Sequence, residues 1–148
     1  MATLKVKIQE DIILGNQDYG SKRVLEISSV DEVMKRIVTC AASQTTTIAV
    51  FNSNAYGAAG AVDIEDSKYI RVTNLDSSNA VELAVVGAAT LYQVKLAAGQ
   101  SHVLGSADDL MLSEADTSPS FGTMADLGSI QVNPGGNAVD VEFFIASA

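Results

Sequence analysis

The residue types that carry chemistry are few, and their spacing limits what they can do together. His102 is the only histidine, so one subunit cannot build a histidine-based metal cluster. Ser101, Ser106 and Asp108 lie close to it and formally complete a Ser-His-Asp set. Such triads are defined by spatial geometry, however, and no G-x-S-x-G nucleophile elbow accompanies them. A histidine opening a strand after the turn Ala98-Gly99-Gln100 reads as a polar edge residue. Glu114, Asp116 and Asp126 could supply a glycosidase carboxylate pair, but they sit in an irregular segment with few aromatics nearby to stack a sugar. Gly57-Ala58-Ala59-Gly60 lacks the strand-to-helix setting of a phosphate loop. Cys40 is the single cysteine, so no internal disulfide can form. Its apolar surroundings, IVTCAA, read as those of a buried structural thiol. These residues predict neither an enzyme nor a bound cofactor.

Calcium is the one ion the composition invites. Asp108, Asp109, Glu114 and Asp116 place four carboxylates within nine residues, and hard oxygen ligands are what Ca²⁺ requires. The run lacks the D-x-[DN]-x-[DN]-G loop with its turn glycine, so a plain solvated acidic loop over 108–116 is the competing reading. Asp63, Glu65 and Asp66 pose the same choice.

The elements that must position these residues show period-two alternation. Leu4, Val6 and Ile8 alternate with Lys5, Lys7 and Gln9. A loop from Gly15-Asn16 to Gly20-Ser21 leads to an extended run beginning at Leu25 and Ile27. Thr45 to Phe51 is β-branched and suits a pleated strand, and Asn52 to Gly60 reads as a loop. Ile70 and Val72, then Val81, Leu83 and Val85, then Tyr92, Val94 and Leu96 continue the pattern. Val103 and Leu104 follow the Gly99 turn. Asp108 to Asp126 is a polar excursion, and Pro134-Gly135-Gly136-Asn137 a turn. In the last strand Val139, Val141, Phe143 and Ile145 face one way, with Asp140, Glu142 and Phe144 on the other. One segment departs from this grammar. Ser29 to Glu32 fits a capping box, and Val30, Val33, Met34, Ile37 and Val38 fall at helical spacing, which predicts a short helical or bulged turn near residues 30–35 before a strand.

The expected fold is an all-β, antiparallel β-sandwich, jelly-roll or immunoglobulin-like, with at most that one short helix. Residues 1–148 form a single domain, long enough to bury roughly 70% of the unfolded surface. Strands begin and end within five residues of the termini, which predicts both ends pinned into sheets. MATLKVKIQED has no apolar signal-peptide core, and no apolar run reaches the ~18 residues of a membrane span.

Charge adds a division of the chain. The net charge is −9 with charged residues at only 18% of the total. Met1 to Val72 carries eight basic and nine acidic residues, whereas Thr73 to Ala148 carries Lys95 and nine acidic residues. Nucleic-acid binding is disfavoured, because phosphate neutralisation needs clustered Lys and Arg. The acidic half is either a solvated face or a surface for a basic partner. Phe144, out of phase with Asp140 and Glu142, either contacts a neighbouring subunit or is covered by the chain itself through the 108–126 excursion. A low-charge surface with such an aromatic suits a homo-oligomer.

The run YIRVTNLDSSNAVELAVVG followed by YQVKLAAGQSHVL resembles an element of small β-sandwich virion proteins of tailed bacteriophages. Tyr69, Ile70, Asn74, Asp76, Val81, Leu83, Leu96, Gly99 and Ser101 carry the likeness. RIVTC at 36–40 and the terminal EFFIASA are similar to stretches of short cyanophage structural proteins. The resemblance implies a virion component made in a host cytoplasm: a capsid decoration (cement) protein bound to the major capsid protein, or alternatively a tail component. A receptor- or carbohydrate-binding module would use the same fold with loop-tip aromatics, for which Tyr19 and Tyr56 are candidates. The charge division makes the near-neutral half the expected docking side, with Lys5, Lys7, Lys22 and Arg23 as its cations.

Overall fold

The computed structural model describes residues 1–54, 61–88, 90–113, 118–119 and 121–148. Among them the chain forms strands and no helix. In chain order the strands are β1 (Ala2–Glu10), β2 (Ile13–Leu14), β3 (Gln17–Asp18), β4 (Ser21–Val30), β5 (Glu32–Cys40), β6 (Thr46–Asn52) and β7 (Ala61–Asp63). The rest are β8 (Ser67–Asn74), β9 (Val81–Gly87), β10 (Leu91–Leu96), β11 (Ser101–Leu104), β12 (Leu127–Asn133) and β13 (Val139–Ser147).

Two sheets make a β-sandwich. One has the order β10-β9-β12-β6-β7, the other β11-β8-β13-β5. All pairings within them are antiparallel except β6 with β7, which is parallel. The alternation that predicted the strands also supplies the core. Leu83, Val85, Ile130 and Val132 from the first sheet meet Ile70, Val72, Val141, Phe143 and Ile145 from the second in one buried cluster. Truncating one of the larger aliphatics to Ala there would cost about 2–5 kcal/mol.

No helix forms near residues 30–35. Instead Thr3 stands opposite Ser28 and Ser29 in a bulge of β4, where Ser29 takes φ 59°. The Asp31 amide then donates to the Ser147 carbonyl, and β5 pairs with β13 over its whole length, from Glu32↔Ser147 to Cys40↔Val139. Met34, Val38 and Cys40 turn inward at period two, leaving Val33 and Ile37 outside. A ladder of nine residue pairs outweighs a one-turn capping box whose helix would be marginal alone.

The C-terminal strand is pinned inside a sheet as expected, between β8 and β5. The N-terminal strand is not. β1 pairs only with β4, as a separate two-stranded sheet extended at its tip by β2 and β3.

β12 occupies the middle of the five-stranded sheet although its alternation is broken. A register shift between Leu127 and Ser129 puts Leu127, Ile130 and Val132 on one side at uneven spacing.

Candidate docking interface

The hairpin β1–β4 holds all four cations singled out from the sequence, and its register sorts them. Residues directly paired in an antiparallel ladder share a face. Lys5↔Glu26, Lys7↔Val24 and Gln9↔Lys22 form one face, so the three lysines lie together. Leu4↔Ile27, Val6↔Leu25 and Ile8↔Arg23 form the other, so Arg23 points away from them. Lys5 is paired with Glu26 at 2.8 Å on the exposed lysine face.

Local sequence explains the tip. Gly15 and Asn16 join β2 to β3 with φ of 59° and 64°, the double positive φ that a two-residue type I′ turn demands. Just beyond, a side chain at Gly20 would stand 2.7 Å from the Glu10 carbonyl oxygen, so only glycine lets the strands close there. Every residue from Lys7 to Glu26 is exposed. The base is anchored: Leu4, Val6 and Ile27 pack on Tyr69, Ala146 and Phe144 of the outer sheet face.

Phe144 therefore lies under this hairpin, a segment of the chain itself, and not under the described residues of the 108–126 excursion. Its ring meets Tyr69 edge-on at 6.1 Å between centroids, and the Arg71 guanidinium stands 5.8 Å from its centroid. Beside it Arg71 donates to Glu142 at 2.6 Å and to the Thr73 hydroxyl, while Lys35 reaches Glu142 at 3.4 Å. The Arg71 hydrogen bond foremost, and then Lys35, hold the Glu142 carboxyl below its ordinary value.

The acidic residues fall into two places. Carboxylate oxygens of Asp108, Asp109 and Asp126 lie within 4.8 Å of one another, all exposed. Asp126 comes from the far end of the excursion and accepts the Asp109 amide at 3.0 Å. Glu114 and Asp116 lie outside the described residues. Partial desolvation, then the charges of Asp109 and Asp126, push the Asp108 carboxyl up. Such a triplet offers oxygens to a hard cation, but ordinary surface carboxylates also gather this way. Asp63 and Asp66 line a pocket of about 310 Å³ together with Glu32, between the edge strands β5 and β7. Glu65 is joined to Asp63 through an amide-to-carboxylate turn bond of 3.1 Å.

The Ser-His-Asp set does not come together. His102 faces into the sandwich from the edge strand β11, its Nε2 3.0 Å from the Tyr92 hydroxyl on β10 of the opposite sheet. The pair bridges one open side of the sandwich, and burial pushes His102 below its ordinary 6.5. Ser101 bonds to Thr73, and Ser106 accepts the Asp108 amide. Cys40 is fully buried, and that burial pushes its thiol up, as a structural thiol requires. Tyr19 stands exposed near the hairpin tip, whereas Tyr56 and Gly57 to Gly60 lie outside the described residues.

Sequence reasoning missed the apolar tip. Ile12, Ile13 and Leu14 are exposed, and the signal was present as an IIL run between Asp11 and the Gly15-Asn16 turn.

No family model matches the chain, and no curated protein matches it. Among solved structures it is similar to a chain described under "Bacillus endospore appendages form a novel family of disulfide-linked pili". The two share 12% identity over 77% of this chain and 84% of that one, with a TM-score of 0.43. A likeness at that level carries no argument about function.

Proposed function

We propose that this chain is a non-enzymatic structural protein of a phage virion, a capsid decoration protein that attaches to the head through the lysine face of its N-terminal hairpin. The observation that carries the docking assignment is the segregation of charge. Residues 1–30 hold four basic and four acidic residues, and residues 31–148 hold five basic and fourteen acidic ones. A neutral arm presenting Lys5, Lys7 and Lys22 together can approach an acidic surface that the body itself would be repelled from. The assignment to a virion rests on the resemblance of the Tyr69–Leu104 region.

The test is binding of the purified protein to undecorated capsids, with occupancy read by cryo-electron microscopy. Stoichiometric binding at symmetric sites is expected. Reversal of Lys7 and Lys22 to Glu should weaken it about tenfold or more, whereas reversal of Asp108 and Asp109 to Lys should not. The opposite ranking removes the docking assignment. Incorporation into tails but not heads would favour a tail component. Tyr19, exposed near a projecting tip, favours a second reading as a receptor- or glycan-binding module; an absence of signal on a glycan array removes the glycan form of it.

A further inference from the structure

We propose that the apolar face of the N-terminal hairpin is a self-association surface that takes the same face of a second copy of this chain, the two arms lying antiparallel. The proposal does not depend on where in a particle the protein sits.

An isolated two-stranded hairpin is marginal in water, yet this one carries twenty consecutive exposed residues, Lys7 to Glu26, beyond its anchored base. Its apolar row does not stop where the body stops. Leu4, Val6 and Ile27 clamp Tyr69 and Phe144, and the same face continues outward through Ile8 and Leu25, which are 54% and 55% exposed. Beyond them the same register puts Ile12, Leu14 and Tyr19 on this face, 53%, 67% and 58% exposed, while Ile13, paired with Asp18, turns to the lysine face. At roughly 150–200 Å² per side chain these five offer ~450–550 Å², so two copies together would cover ~1,000 Å², the lower bound for a specific interface.

Three features select a second copy as the occupant. The first is the area, which one such arm can supply and another can cover. The second is charge: two bodies of net −9 repel, and residues 1–30 are the balanced segment through which they can meet. The third is self-complementarity. A twofold contact places residue i against j and j against i. The apolar face bears Arg23 opposite Ile8 and Glu10 opposite Ser21, one cation and one anion in neighbouring pairs. An antiparallel pairing sets Arg23 of each copy against Glu10 of the other. It also lays each tip over the other's base, where an apolar groove of about 270 Å³ runs between Ile8 and Leu25 of the arm and Tyr69, Val103 and Leu104 of the body. The lysine face stays outside this contact.

Sedimentation velocity on the full chain tests this in solution, with no particle present. The wild type is expected to be a dimer at ~200 µM. Ile12→Asp with Leu14→Asp should yield monomers that keep the wild-type circular dichroism, since neither side chain joins the core. Arg23→Glu and Glu10→Arg should each weaken the dimer about tenfold, and their combination should restore it. A wild-type monomer at that concentration overturns the proposal. So does a dimer that survives the Ile12/Leu14 change, a charge swap that fails to restore association, or a trimer or larger ring. If the tip variants keep the wild-type oligomeric state but lose capsid binding, the arm's partner is another protein and the self-association is refuted.

Discussion

Asn74 holds three segments together from a position with no solvent access, which makes its replacement the sharpest test of the fold. Its Nδ2 donates to the carbonyls of Asn79, Leu96 and Ala97 at 2.8, 3.1 and 3.2 Å, and its Oδ1 accepts the Asp76 amide at 3.0 Å. The end of β8 is thereby tied to the 75–80 loop and to the end of β10. Asn74→Leu keeps the number and branching of the side-chain heavy atoms and removes every one of these bonds. The Leu96 carbonyl contact is fully buried, and stranding that acceptor costs about 1–3 kcal/mol. The remaining bonds lie nearer water, and each contributes about 0.5–1.5 kcal/mol. The expected loss is about 3–5 kcal/mol, a large share of the ~5–15 kcal/mol that holds a domain folded. Urea unfolding followed by circular dichroism should show a lower midpoint at unchanged slope, with Tm reduced by roughly 10–15 °C for a chain of this size. Asn74→Asp should be worse still, because a carboxylate would face three carbonyl oxygens with no hydrogen to give them. A loss below ~1 kcal/mol for the Leu variant, or an Asp variant more stable than it, would refute the assignment of the amide as the joint.

Three further outcomes follow from the polar and thiol groups. His102 is pushed below its ordinary value by burial, so the unfolded chain takes up its proton first as pH falls. Its contribution is therefore complete above about 6.5 and is lost below that value; Tm measured from pH 7.5 to 5 should fall more in the wild type than in His102→Gln. Glu142→Gln leaves Arg71 and Lys35 facing a neutral group and should cost about 1–2 kcal/mol by chemical denaturation at neutral pH. Because its folded carboxyl lies below the ordinary 4.5, its contribution is present above that value and disappears as pH falls through the folded one, so the variant should show the shallower acid limb. Cys40 should resist a thiol-titrating disulfide reagent in the native protein and react fully once denaturant is added; rapid native labelling would contradict its burial.

Much of the architecture was legible in local pattern. Val139, Val141, Phe143 and Ile145 are buried in strict alternation, because one face of a strand against a core imposes period two. Cys40 in its apolar run was readable as interior for the same reason. Patterns that two structures can share were not decidable. The Ser29–Val38 stretch fits a short helix or a bulged strand, and only the presence of β13 as a nine-residue partner chose between them. β12 was hidden because its bulge breaks the phase between Leu127 and Ile130.

The candidate site divides the same way. Composition and order alone determined an acidic, all-β chain with one histidine, one thiol and a charge-balanced N-terminal segment. They also supplied the four cations Lys5, Lys7, Lys22 and Arg23. Only the tertiary structure decided that these ride on a projecting hairpin, that the lysines share a face while Arg23 turns to the other, and that the hairpin base covers Phe144. It likewise brought Asp126 to Asp108 and Asp109, and His102 to Tyr92. Side-chain direction along a strand follows from its own sequence. Which strand lies beside it, and how far a hairpin reaches past the body, depend on pairings between distant residues that no local pattern encodes.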